Sequence, residues 1–165
     1  MSAQCAVLVA CALLATVALP ARAQDLGIEV GSKAPAAVVE TLDGKAADLG
    51  QYIGKAPLVL EFWATWCENC KELEPAFRAV QAKYGKQVQF VVVAVAINQS
   101  AERVRLYAQK YHPRHTIFYD RKGAAASAYD APATSYVVVV DRKGTVVYTG
   151  LGGKQDLEAA IRKAL

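Results

Sequence analysis

The sequence predicts an α/β fold: a mixed central sheet flanked by helices, with an extra N-terminal β-hairpin. Three observations carry this. The run 58–63 reads as a buried strand, and 88–97, almost wholly apolar and β-branched, has the composition of a central parallel strand covered on both faces. An amphipathic helical pattern follows each of them. Turn signals at Asp43-Gly44 and at Asp141-Arg142-Lys143-Gly144 each sit between two strand-like segments.

The elements follow in order. Residues 24–35 form an irregular lead-in. Segments 36–42 and 45–47 make the first hairpin. Leu58 to Trp63 is a buried strand. Cys67 to Tyr84 is a helix with Leu73, Phe77, Val80 and Tyr84 along one face; Pro75 should kink it and Gly85 should stop it. The next strand, 88–97, leads to a helix over 100–112 that turns Val104, Tyr107, Ala108 and Tyr111 inward. A short strand spans 116–119, and one or two helical turns span 124–129. A hairpin of 136–140 with 145–148 precedes a closing helix over 155–165.

At 165 residues the chain is sized for one domain, and 54% hydrophobic with 21% charged residues supplies a core. The net charge of +4 is spread over scattered Lys and Arg. That pattern is a solvated surface and excludes a nucleic-acid-binding stripe.

The first 23 residues stand apart. Ala6 to Leu19 is uncharged and apolar, Pro20 breaks the run, and Ala21-Arg22-Ala23 has the A-x-A form of a cleavage site. This reads as a signal peptide, residues 1–23, ahead of a domain at 24–165. The run is shorter than the roughly 20 residues a membrane span needs, so the mature chain should hold no stable span. No Lys or Arg precedes it, which departs from the usual pattern. Leu8-Val9-Ala10-Cys11 has the form of a lipoprotein box, but most of the apolar run lies after Cys11. Cleavage after Ala23 discards Cys5 and Cys11 and leaves Cys67 and Cys70. Two cysteines cannot build a Cys₄ zinc site. Two residues apart, at a strand-to-helix junction of an exported chain, they point to redox work.

Cys67, at the helix start, is the expected nucleophile with an exposed sulfur, because the helix N-terminus favours a thiolate. Cys70, one turn in and more buried, would resolve the mixed disulfide. The run Phe62-Trp63-Ala64-Thr65-Trp66-Cys67-Glu68-Asn69-Cys70 resembles the active site of thioredoxin-fold proteins. The wider chain, through Gly31-Ser32-Lys33-Ala34-Pro35, the Leu42-Asp43-Gly44-Lys45 turn and the Asp141–Gly144 turn, is similar to exported TlpA/ResA-type thiol–disulfide oxidoreductases, including those of cytochrome c maturation. The resemblance covers nearly all of residues 30–165 and implies a thioredoxin-like fold.

It implies further roles. Pro132 matches the family's cis-proline, set against the C-x-x-C pair, with Ala131 and Thr134 lining the substrate groove. The family often has Pro-Thr-Thr-Phe where this chain has Pro132-Ala133-Thr134-Ser135. Trp66, Glu68 and Asn69 would also meet substrate, while Trp63 belongs to the core. Glu68-Asn69 replaces the Gly-Pro of thioredoxin. Glu68 suits the helix dipole but opposes a thiolate beside it, which favours a reductant. Glu61 is a carboxylate in the middle of an apolar strand, six residues before Cys67, where thioredoxins carry an acid. If buried it would have a raised pKa and could take the Cys70 proton; an outward-facing strand glutamate is the plainer alternative.

The resulting expectation is a reductant of protein disulfides that needs no bound cofactor and is re-reduced by a membrane thiol-relay donor. Its expected location is the periplasm of a Gram-negative bacterium. The alternative is a copper chaperone of the same fold, using Cys67, Cys70 and one of His112 and His115, since thiolate and imidazole suit copper. Its plainer counterpart is a pair of surface histidines in a loop. A peroxiredoxin is excluded: Leu60 and Ala64 stand where that chemistry calls for a Pro and a Thr or Ser.

Overall fold

A computed structural model describes residues 26–165. The expected signal peptide, its cleavage site, Cys5 and Cys11 lie outside the described residues.

The sheet has seven strands in the order β2-β1-β5-β4-β3-β6-β7. They are β1 (Val38–Glu40), β2 (Ala46–Asp48), β3 (Leu58–Trp63), β4 (Gln89–Val95), β5 (Thr116–Asp120), β6 (Tyr136–Val140) and β7 (Val146–Leu151). The centre, β5-β4-β3, is parallel, and β6 joins β3 antiparallel. Every residue of β3 is buried, which is why its sequence shows no alternation. The hairpin β1–β2 turns at Gly44, whose φ of +85° suits glycine. Glu40 pairs with Tyr119 and receives Arg121 Nε at 2.7 Å, fastening the hairpin to β5. A short 3-10 turn, Leu49–Tyr52, follows β2; the sequence pattern had not indicated it.

The helices are α1 (Glu68–Tyr84), α2 (Ala101–Tyr111), α3 (Ala124–Ala128) and α4 (Leu157–Arg162). The chain enters α1 directly from β3 through Ala64–Cys67, with Cys67 as N-cap. The helix runs through Pro75 without ending there. Ser100 caps α2, its hydroxyl accepting from Arg103 N, and His112 ends it with a left-handed φ of +45°. A polar N-cap of this kind stabilises by about 1 kcal/mol.

Glu61, Val92 and Ile117 are register partners across β3, β4 and β5, so their side chains share one face. That face meets α1 and α2. Phe62 points the other way, onto Tyr129 and Tyr136 at ring separations of 5.7 and 5.9 Å. The lead-in packs there as well: Ile28 N donates to both Tyr129 O and Tyr136 Oη. A Cβ on Gly27 would lie 2.0 Å from Tyr136 Oη, so this close approach requires glycine.

Candidate functional site

Strand β3 delivers the loop Ala64–Trp66 to the end of the sheet, and α1 begins at once. Cys67 and Cys70 form a disulfide across this start, with Cα atoms 5.3 Å apart. Cys67 Sγ accepts from Cys70 N at 3.0 Å, so the sulfur occupies the capping position of the helix. One correction follows. Cys67 was expected to be exposed, yet only 4% of its surface is free. Its sulfur is turned inward by the cap and by the bond to Cys70.

The loop above it is braced. Gln99 Oε1 accepts from Thr65 N at 2.9 Å, and its Nε2 donates to Val95 O at 2.6 Å. Tyr119 Oη donates to Gln99 O. Trp66 Nε1 donates to Ile97 O at 2.8 Å. Trp66 is 37% exposed beside an exposed Ile97, so the two form an apolar rim next to the disulfide. Trp63 is core, as expected, its ring centroid 4.8 Å from that of Tyr107 with the two planes tilted by 56°. Glu68 and Asn69 are exposed on the first turn, and Glu68 pairs with Lys71 at 2.6 Å. Sequence reasoning missed Gln99; nothing in a single glutamine after a strand marks it.

Pairing of Phe62 with Tyr136 brings residues 131–135 alongside the end of β3, and Ser135 N donates to Phe62 O at 2.7 Å. Ala131 and Thr134 are half-buried there, and Pro132 is exposed. The expected cis bond before Pro132 is corrected: no peptide bond among the described residues is cis. Instead the segment turns through left-handed Asp130 (φ +45°) and Ser135 (φ +63°). Gln155 and Gly152 hold Ser135 from below.

Glu61 is buried, 5% exposed. The outward-facing alternative does not hold. Its carboxyl lines a cavity of about 260 Å³ together with Cys70, Glu74, Arg78, Tyr107 and His115. Glu61 Oε1 is shut off from solvent and has no hydrogen-bond partner. Burial, reinforced by the Glu74 carboxylate, pushes its pKa up to about 8. Arg78 Nε binds Glu74 Oε1 at 2.9 Å. His115 departs from the surface loop pair expected of it. His112 is exposed, but His115 packs edge-on against Phe77, centroids 5.4 Å apart, with its Nδ1 buried and unpartnered. Burial holds its pKa down at about 4. Among the described residues no three His, Cys, Asp or Glu side chains gather as a set that could hold a metal ion.

A mixed sheet with a parallel centre, a disulfide closed over two intervening residues at a helix N-terminus, and a buried carboxyl lining the cavity beside Cys70 define a thioredoxin-like thiol–disulfide oxidoreductase. Residues 29–165 match the Redoxin family model, and the chain belongs to that family. It is 31% identical over 141 residues to the thioredoxin-like protein YneN of Bacillus subtilis, spanning 84% of this chain and 82% of that protein. It is 32% identical over 137 residues to the thiol-disulfide oxidoreductase ResA of the same organism, spanning 83% and 75%. A crystal structure from Chlorobium tepidum, named for the thiol:disulfide interchange protein DsbE, superposes with a TM-score of 0.72 at 26% identity, covering 83% of this chain and 98% of that one. Among the described residues no helix is long and apolar enough to cross a membrane.

Proposed function

We propose that the protein is exported, with residues 1–23 removed, and reduces disulfides of other proteins in the periplasm, in the setting of cytochrome c maturation that its sequence resemblance to TlpA/ResA-type oxidoreductases implies. The observation that carries the reading is the Cys67–Cys70 disulfide closed over a buried, unpartnered carboxyl. In the reduced protein Cys67 thiolate attacks a substrate disulfide. Cys70 then attacks Cys67 Sγ, releasing the reduced substrate and re-forming the disulfide. Glu61 takes the Cys70 proton as this second attack begins. Trp66, Glu68, Asn69, Ala131, Pro132 and Thr134 receive the substrate segment. A membrane thiol relay re-reduces the pair, and no cofactor enters the cycle. Glu68 beside the first sulfur opposes a very stable thiolate, which supports reduction over oxidation.

Equilibration with glutathione buffers tests the direction. A potential near thioredoxin's, about −270 mV, is expected, and one near the DsbA value of about −120 mV would reverse the assignment to an oxidant.

A further inference from the structure

Glu61 Oε1 and His115 Nδ1 are both closed to solvent, both lack partners, and both line the cavity under Cys70. An unmade hydrogen bond on a buried polar atom costs about 1–3 kcal/mol. The cavity, about 260 Å³ with Glu61, Glu74, Arg78 and His115 at its wall, has room for several waters, which would satisfy both atoms. The register sets the direction in which it runs. Glu61 shares a row with Ile117, and His115 lies two residues before that row, towards the end of the sheet away from Cys67. The exposed residues at the cavity wall, Arg78, His112 and Arg114, mark its mouth there. The Trp66–Ile97 rim and Pro132 lie at the opposite end.

We propose that this cavity is a proton port and that His115 is its inner relay, carrying protons between Glu61 and solvent behind the docked substrate. The inference rests on Glu61 acting as the base for Cys70. Cys70 Sγ–H gives its proton to the Glu61 carboxylate. The Cys70 thiolate attacks Cys67 Sγ, the Cys67–substrate bond breaks, and its electron pair leaves on the substrate sulfur. The Cys67–Cys70 pair is oxidised and the substrate cysteine reduced. Glu61 then passes its proton through cavity water to His115 Nδ1, while Nε2 gives one to water at the mouth. A protein seated over Cys67 covers the front of the site, so a rear exit lets the proton leave before the partner does. The neutral ring that burial enforces keeps a lone pair available at Nδ1. Glu74 is the other acid in the cavity, but its carboxylate is held by Arg78.

The test follows resolution of a mixed disulfide preformed on Cys67 in the processed protein, which begins at Gln24 and holds no thiols besides Cys67 and Cys70, at pH 7 by stopped flow in dilute bulky buffer. His115→Ala should slow it about tenfold, less than the roughly 10²–10⁴-fold of a group that itself meets the reacting atoms, because His115 acts one step behind Glu61. Added imidazole should restore the rate with saturation. His115→Phe keeps the ring that packs on Phe77 and should be equally slow, with no response to imidazole. Wild type should ignore imidazole. Wild-type speed in His115→Ala, or equal imidazole responses in both variants, would overturn the port while leaving Glu61 in place. Should Glu61→Gln itself resolve at the wild-type rate, the base beneath the port is wrong, and the port falls with it.

Discussion

Replacing Glu61 by Gln in the oxidised protein should reverse part of its pH–stability profile. The carboxyl has a folded pKa of about 8 against an ordinary 4.5. A raised acid stabilises the fold only while protonated. Its contribution is complete below pH 4.5 and is lost progressively as pH rises to about 8. At about 1.4 kcal/mol per pH unit this gap amounts to about 5 kcal/mol, an order-of-magnitude figure. His115 works in the opposite sense. Its pKa is depressed from 6.5 to about 4, so its contribution is complete above 6.5 and is lost as pH falls towards 4. Between 4.5 and 6.5 the two slopes oppose one another, and the wild type should be nearly flat there. From 6.5 to 8 Glu61 acts alone and removes about 2 kcal/mol. Glu61→Gln should lack that fall and should overtake the wild type at neutral pH. Urea melts of both oxidised proteins from pH 4 to 9 measure this; subtracting the curves cancels the carboxylates common to both. A difference that stays constant across that range would refute the buried, protonated Glu61 and with it the proton-transfer role.

The same pKa predicts that resolution of the mixed disulfide accelerates as pH rises through about 8 in the wild type, and that Glu61→Gln removes this limb and slows the step about 10–100-fold. Cys70→Ser should trap substrate proteins as mixed disulfides on Cys67, detectable on non-reducing gels; trapping by Cys67→Ser instead would exchange the two roles. Gln99→Leu leaves Thr65 N without its acceptor and should destabilise by about 1–3 kcal/mol in urea melts while shifting Trp66 fluorescence. Intact mass of the exported protein should begin at Gln24; a product retaining residues 1–23 would refute cleavage after Ala23.

Strand β3 was legible residue for residue, because a strand covered on both faces is written as an apolar run without alternation. The carboxylate in that run was legible for the same reason, as the one polar break. Strand β7 was harder. It continues through Thr149 and Gly150 to Leu151, where pairing with Tyr136 and Val137, not composition, sustains it. Tyr111 continued the helical period of α2 yet ends exposed, since the helix stops one residue later at His112. Exposure of the Cys67 sulfur was misjudged because a helix start was equated with a free surface, whereas the capping bond from Cys70 N draws the sulfur in. Pro132 shows the limit of motif transfer. Its neighbours Ala133 and Ser135 depart from the family pattern, and the left-handed turns at Asp130 and Ser135 take the place of the expected cis bond. His115 was misread as a surface loop residue, because its burial depends on Phe77 arriving from α1.

The N-terminal hairpin bears on solubility. Without it, β5 would present Ile117–Asp120 along a free edge, a row of unpaired amides flanked by apolar side chains. Antiparallel β1 occupies part of that edge, and the ladder then ends in β2, three residues long and mostly exposed. On the far side the register slips between Val139 and Val140, so the outer ladder is irregular. Both margins of the sheet are therefore poor templates for another chain's strand. The proposed reduction of protein disulfides gains from this: a substrate can dock at the cysteines without a long open edge on which to nucleate intermolecular sheet.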